Sequence, residues 1–233
     1  MVNLAFYSDQ VIPRNREIDL RLLAMMETLG RGTRIGYIPS GPEPDRRFFN
    51  ESEQYYRIYG LEMSLFYDLE ETHGAEDRQA LFACDAIHLT GGHTGEYLQR
   101  LRRSGMLPLL RDWALAGGIL IGTSAGAILM TPTIATDALF TGEMPEALTK
   151  ETALDLVPFE FFPHLNEKVS YLPELVRYSR FTSRPILACN DGDGVVVSQG
   201  RAHCIGEAVW IAGGAVRDAN DIDLDGLSLA QDS

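Results

Sequence analysis

The sequence predicts an α/β fold, a three-layer sandwich with a mostly parallel central sheet and antiparallel edge strands near the C-terminus. Two observations predict it. Short apolar runs alternate with amphipathic stretches through the first two thirds of the chain, the signature of strand–helix–strand units around a parallel sheet. In the last third, the turn pairs Asp193-Gly194 and Gln199-Gly200 separate short apolar runs, which marks hairpins added at a sheet edge.

The elements follow in order. The apolar runs Asn3 to Tyr7, Arg34 to Pro39, Glu62 to Tyr67, Ala86 to Thr90 and Ile119 to Gly122 are the parallel strands. Between the first two, Glu17 to Leu29 carries Ile18, Leu20, Leu22, Leu23, Met26 and Leu29 at roughly helical spacing and then meets Gly30 and Gly32 as stop signals. Further helices are predicted at Asp45 to Tyr59, Glu76 to Ala83, Tyr97 to Arg103 and Leu107 to Ala116. Beyond Pro158, Phe159 to Phe162 reads as a strand and Leu172 to Arg180 as a helix, with short strands at Ile186 to Cys189, Val195 to Val197 and His203 to Ile205. Residues 1–233 read as a single domain, and the tail from about Asp221 is expected to be free to fray.

Composition narrows the function. With 33 acidic against 20 basic residues, the net charge of -13 repels phosphate backbones and anionic headgroups, so nucleic acid and membrane surfaces are excluded as partners. Cys84, Cys189 and Cys204 show no C-x-x-C spacing and read as reduced, buried thiols. The N-terminus has no signal-peptide pattern and no apolar stretch is long enough to span a bilayer, so the expected location is the cytoplasm. Neither H-E-x-x-H nor any other metal-ligand spacing is present, so no metal or cofactor is expected.

Chemistry concentrates in one turn. In Gly122-Thr123-Ser124-Ala125-Gly126 an apolar strand runs into a sharp strand-to-helix turn that exposes the Ser124 hydroxyl, and the N–H of Ala125 faces the same space. A serine becomes a nucleophile only beside a base and facing N–H groups that hold an oxyanion. A second glycine turn, Leu89-Thr90-Gly91-Gly92-His93-Thr94-Gly95, follows a neighbouring strand and offers the N–H of Gly92 as the second donor.

Of the five histidines, His164 stands at the end of a strand where Pro163 turns the chain, the place for a general base. His93, inside the glycine turn, is the second candidate for the base and a candidate substrate contact. His88 reads as a core residue, and His73 and His203 as solvated ones. The acid that fixes the imidazole is sought in Asn190-Asp191-Gly192-Asp193-Gly194, another strand end, with Asp191 the first choice and Asp193 the second. The order serine, histidine, acid differs from that of α/β-hydrolases.

These residues resemble the peptidase E family of aspartyl dipeptidases, related in fold to the class I glutamine amidotransferases and cyanophycinases, a flavodoxin-like arrangement. Four places carry the resemblance over nearly the whole chain. Gly91-Gly92-His93-Thr94 is similar to a G-G-N-T turn and Gly122 to Ala127 to a G-x-S-A-G-A turn. Pro132-Thr133-Ile134 matches the stretch after that helix, and Phe162-Pro163-His164 an N/D-P-H segment. The resemblance implies a serine peptidase cleaving Asp-X dipeptides, with Ser124 as nucleophile, His164 as base, and Gly92 and Ala125 as oxyanion donors. It also implies a second candidate acid, Asp137, and leaves an arginine to be found for the substrate carboxylate, with Arg177 and Arg180 as candidates beside His93 and Thr94. His93 departs from the family's Asn. The expected partner is a small peptide, and the expected state a monomer or homodimer. The alternatives are a cyanophycinase-like or esterase-type hydrolase of the same fold, or a non-catalytic binding module.

Overall fold

Alternating side chains decide how the sheet is covered. In a computed structural model that describes residues 1–224 and Leu227, strand β1 (Asn3–Tyr7) sends Leu4 and Phe6 to one face and Ala5 and Tyr7 to the other, all fully buried. Strand β5 (Ile119–Thr123) divides in the same way, with Leu120 opposite Ile119 and Ile121. A strand buried on both faces carries a near-continuous apolar run, here Leu4 to Tyr7 and Ile119 to Gly122, with polar Asn3 and Thr123 only at the strand ends.

The covering layers are helical. Helices α1 (Arg16–Thr28) and α2 (Arg47–Arg57) lie on the Ala5 and Tyr7 face, through Ile18, Leu22, Met25, Met26, Tyr55 and Tyr56. On the other face lie α3 (Ala75–Phe82), α4 (Thr94–Arg103) and α5 (Met106–Leu115), through Leu81, Leu98, Leu101, Met106 and Leu110. Each fully buried Leu or Ile contributes roughly 1.5–3 kcal/mol.

With β2 (Arg34–Ile38), β3 (Glu62–Phe66) and β4 (Ala86–Leu89), the parallel part of the sheet runs β1-β5-β4-β2-β3. Strands β8 (Gly194–Ser198), β9 (Arg201–Ile205) and β12 (Ile222–Asp223) extend it antiparallel beyond β1, in the order β12-β9-β8-β1. The parallel strands therefore end together along one edge, at Tyr7, Ile38, Leu89 and Thr123.

Two expectations are corrected. The C-terminal strands do not all join the main sheet: β6 (Glu160–Phe162), β7 (Ile186–Ala188), β10 (Val209–Ala212) and β11 (Ala215–Asp218) form a second sheet in the order β11-β10-β7-β6. The cause is again alternation. Phe161, Leu187 and Trp210 face the main core, while Phe162, Ile186, Ala188 and Ile211 face helix α8 (Tyr171–Tyr178) through Tyr171, Leu175 and Tyr178. The tail expected to fray from Asp221 is instead paired at its start, Ile222 with Ala202 and Asp223 with Arg201. Of the rest of that tail, residues 225, 226 and 228–233 lie outside the described residues.

Candidate active site

Ser124 sits between β5 and the short helix α6 (Ala125–Leu129), at φ +50 and ψ -108, a conformation that L-residues avoid and that the surroundings must impose. Three bonds impose it: the Ser124 N–H donates to Tyr7 O at 2.9 Å, Gly126 N–H to Thr90 O at 3.1 Å, and Ile128 N–H to Ser124 O at 3.0 Å. Gly126 is required because a Cβ there would overlap the Leu89 carbonyl. The result is a hydroxyl lifted off the C-terminal edge of the sheet.

His164 follows β6 at φ +55, its N–H donating to Ser8 Oγ at 2.7 Å and its ring meeting Phe140 edge-on. Its Nε2 lies 2.9 Å from Ser124 Oγ and its Nδ1 2.5 Å from Asp191 Oδ1. The carboxylate holds Nδ1 as the protonated nitrogen, which leaves Nε2 free to accept from the serine. The loop bearing Asp191 is fixed in turn: Asp191 N–H donates to Asn166 Oδ1 at 2.9 Å and Gly192 N–H to Asp9 Oδ1 at 2.6 Å. Ser8, Asp9 and Asn166 thus position the site, and sequence reasoning missed them. Their only signal was polarity immediately after a strand or after His164.

The other acids are placed elsewhere. Asp137 is buried, accepts from Thr94 Oγ1 at 2.5 Å, and is not bonded to His164; burial raises its pKa, partly offset by the Thr94 bond. Asp193 accepts from Glu207 N–H at 3.1 Å, and burial raises its pKa too. Asp137 nonetheless lines the same cavity of about 280 Å³ as Ser124, His164, Gly92, His93 and Thr94. The N–H of Ala125 opens α6 and has no partner within the helix. Gly92, at φ +144, packs against Ser40 so closely that a Cβ would overlap its hydroxyl, and Gly91 lies beside Ser124 Cβ. Gly92 lines the same cavity as Ser124 and Ala125 follows it in the chain, while Thr94 spends its hydroxyl on Asp137. His93 caps α4, its Nδ1 accepting from Glu96 N–H at 3.3 Å.

Arg177 and Arg180 are not brought to the cavity. Arg177 pairs with both oxygens of Glu146, at 2.5 and 2.9 Å, and with Glu174 at 2.9 Å. Arg180 packs over Gly214, in the turn between β10 and β11. Helix α8 turns Arg177 toward the 3-10 turn Pro145–Leu148, where Glu146 pairs with it, and Glu174 pairs with it from α8 itself.

The remaining histidines are embedded. His88 is buried, its pKa pushed down to about 3 by burial, with Nε2 3.0 Å from Thr123 Oγ1. His73, expected to be solvated, stacks on Tyr67 at 3.7 Å, and His203 lies 3.1 Å from Asp221. Cys84, Cys189 and Cys204 are free thiols. Among the described residues no group of three His, Cys, Asp or Glu side chains is arranged to hold a metal, and no helix is long and apolar enough to cross a membrane.

An open, mostly parallel sheet with a serine in a strained strand-to-helix turn at its edge defines an α/β protein with its candidate site at the C-terminal edge of the sheet. The sequence model of Peptidase family S51 matches residues 7–205, and the chain belongs to that family. An uncharacterized peptidase of Listeria innocua is 41% identical over 83 residues, 35% of this chain and 40% of the relative. Peptidase E of Salmonella typhimurium is 36% identical over 101 residues, 43% of this chain and 41% of the relative. The matched stretches thus span about two fifths of these relatives' lengths. The crystal structure of a peptidase from an acI-B1 Actinobacterium shares the fold, with a TM-score of 0.68 at 14% identity over 96% of this chain and 97% of that one.

Proposed function

We propose that this chain is a serine peptidase that cleaves short peptides, Asp-X dipeptides among them, through an acyl-enzyme on Ser124. The observation that carries the reading is the bonded series Asp191–His164–Ser124, 2.5 and 2.9 Å long, at a strained turn. As Ser124 Oγ attacks the scissile carbonyl, His164 Nε2 takes its proton and Asp191 stabilises the imidazolium that forms. The N–H groups of Ala125 and Gly92 hold the oxyanion. His164 then passes the proton to the leaving amine, and water, with His164 again as base, releases the acid and restores the serine.

Short substrates suit a cavity of about 280 Å³. No arginine or lysine lines it, so an aspartyl carboxylate would rest on the exposed His93 ring and the N–H groups that open α4, where the helix favours negative charge. The net charge of -13 disfavours nucleic acid and anionic membrane surfaces as partners of this enzyme. Turnover of Asp-Leu, β-Asp-Arg and a simple ester by the wild-type chain and Ser124→Ala tests the reading: the variant should be inactive yet folded, and persistent hydrolysis by it would refute the assignment.

A further inference from the structure

A second cavity is larger than the one over Ser124. It measures about 520 Å³ and lies between α2 and the Gly91-Gly92 turn, sharing Gly92 with the smaller one. Its floor is His88 and Thr123, its walls include Tyr37 and Tyr55, and Phe48, 56% exposed, stands at its mouth. Such a volume is that of a ligand pocket, far more than a lone ammonium group needs.

Its charge is of one sign. Among the lining residues Glu43 and Glu51 are the only acids, and none is an arginine or lysine. Glu51 is exposed and shares its charge with Arg47, 3.0 Å away. Glu43 is buried and accepts from neutral donors, Tyr37 Oη at 2.7 Å and Phe49 N–H at 3.1 Å, and among the described residues it has no ion-pair partner. Burial keeps the His88 imidazole uncharged, so the floor does not repel a cation. Carboxylates lining a cavity that holds no basic residue attract guanidinium and ammonium groups by Coulomb attraction, although Arg47 already stands over the Phe48 ring at 5.5 Å.

We propose that this cavity is a subsite for a cationic side chain, arginine or lysine, on a residue flanking the bond that Ser124 cleaves. The proposal rests on the serine-peptidase reading for its position beside the scissile bond. An Asp-X substrate would then place its carboxylate at His93 and a basic X across Gly92.

Two measurements separate the two ideas. Labelling of the folded chain by a fluorophosphonate tests the peptidase reading without involving the cavity. Binding of N-acetyl-arginine amide against N-acetyl-norleucine amide, by calorimetry on the wild-type chain, tests the cavity without requiring turnover. The arginine amide should bind at least about tenfold more tightly, with the preference falling as salt is raised. Glu51→Gln and Glu43→Gln should each reduce that ratio; because Glu43 also anchors Tyr37, its variant is read only alongside an unchanged circular dichroism spectrum, and Glu51 carries the test if it misfolds. Equal affinities, or a ratio unmoved by Glu51→Gln with folded Glu43→Gln, would overturn the subsite. In kinetics, peptides with Arg or Lys at one flanking position should exceed their norleucine counterparts in kcat/KM whether or not the N-terminus is acetylated. A flat ranking with strict dependence on a free α-amine would assign the cation site to the substrate N-terminus and overturn the side-chain proposal.

Discussion

Replacing Glu160 with glutamine should flatten the pH dependence of stability. Glu160 lies on β6, four residues before His164, fully buried, with Thr133 Oγ1 2.9 Å and Thr131 Oγ1 3.3 Å from its oxygens and Arg184 3.6 Å away. Burial raises its pKa from 4.5 to about 7, against the opposing effects of the threonine bonds and Arg184. Between those values the folded chain keeps a proton that the unfolded chain has released, so stability is greatest below pH 4.5 and declines as pH rises toward 7. For a shift of that size the decline between pH 5 and pH 8 is on the order of 2–3 kcal/mol. Glu160→Gln keeps the shape and removes the titration, so the gap between the two proteins should change by that amount across the window. Urea unfolding followed by circular dichroism at half-unit steps from pH 4.5 to 8.5 measures it. Parallel stability curves would mean that the buried carboxyl does not hold its proton.

Other substitutions probe the site itself. Asp191→Asn should lower kcat/KM by roughly 10³–10⁴ through loss of the tautomer that presents Nε2 to the serine, with Asp137→Asn far milder; steady-state rates in which Asp137→Asn is the more damaging would reverse the choice of acid. Gly92→Ala forces a Cβ onto Ser40 at a φ of +144, and displacing that N–H should lower kcat by about 10²–10³ with KM little changed. Arg177→Ala breaks surface pairs with Glu146 and Glu174 and contacts with Phe181 and Met144, none of them in the cavity, so dipeptide turnover should stay within about twofold; a raised KM would return Arg177 to the substrate.

The parts of this molecule legible in the sequence are those set by short-range pattern. The five parallel strands could be read because they are apolar on both faces, as Leu4 and Leu120 on one and Ala5 and Ile121 on the other show, and Ser124 because a strand, two glycines and a helix start occur together. His164 and Asp191 were found from strand ends, though 27 residues separate them in sequence. The second sheet was not legible. Val209–Ala212 and Ala215–Asp218 flank Gly213-Gly214 as a hairpin, but the choice of β7 over the main sheet depends on Trp210 meeting the main core and Ile211 meeting α8, which are contacts between distant segments. Arg177 misled for a similar reason: helical spacing says which residues share a face, not that Glu146 waits opposite it. The cavity beside α2 draws on residues from Gln10 to Thr123, and no local motif contains it.

In the proposed mechanism Ser124 carries the acyl group under the control of His164. Incubation with p-nitrophenyl acetate, acid quench and peptide mass spectrometry tests it directly. The expected result is one acetyl group on the peptide containing Ser124, absent in Ser124→Ala and formed far more slowly in His164→Ala. Acetylation elsewhere, or at Ser124 at an unchanged rate without His164, would contradict the claim.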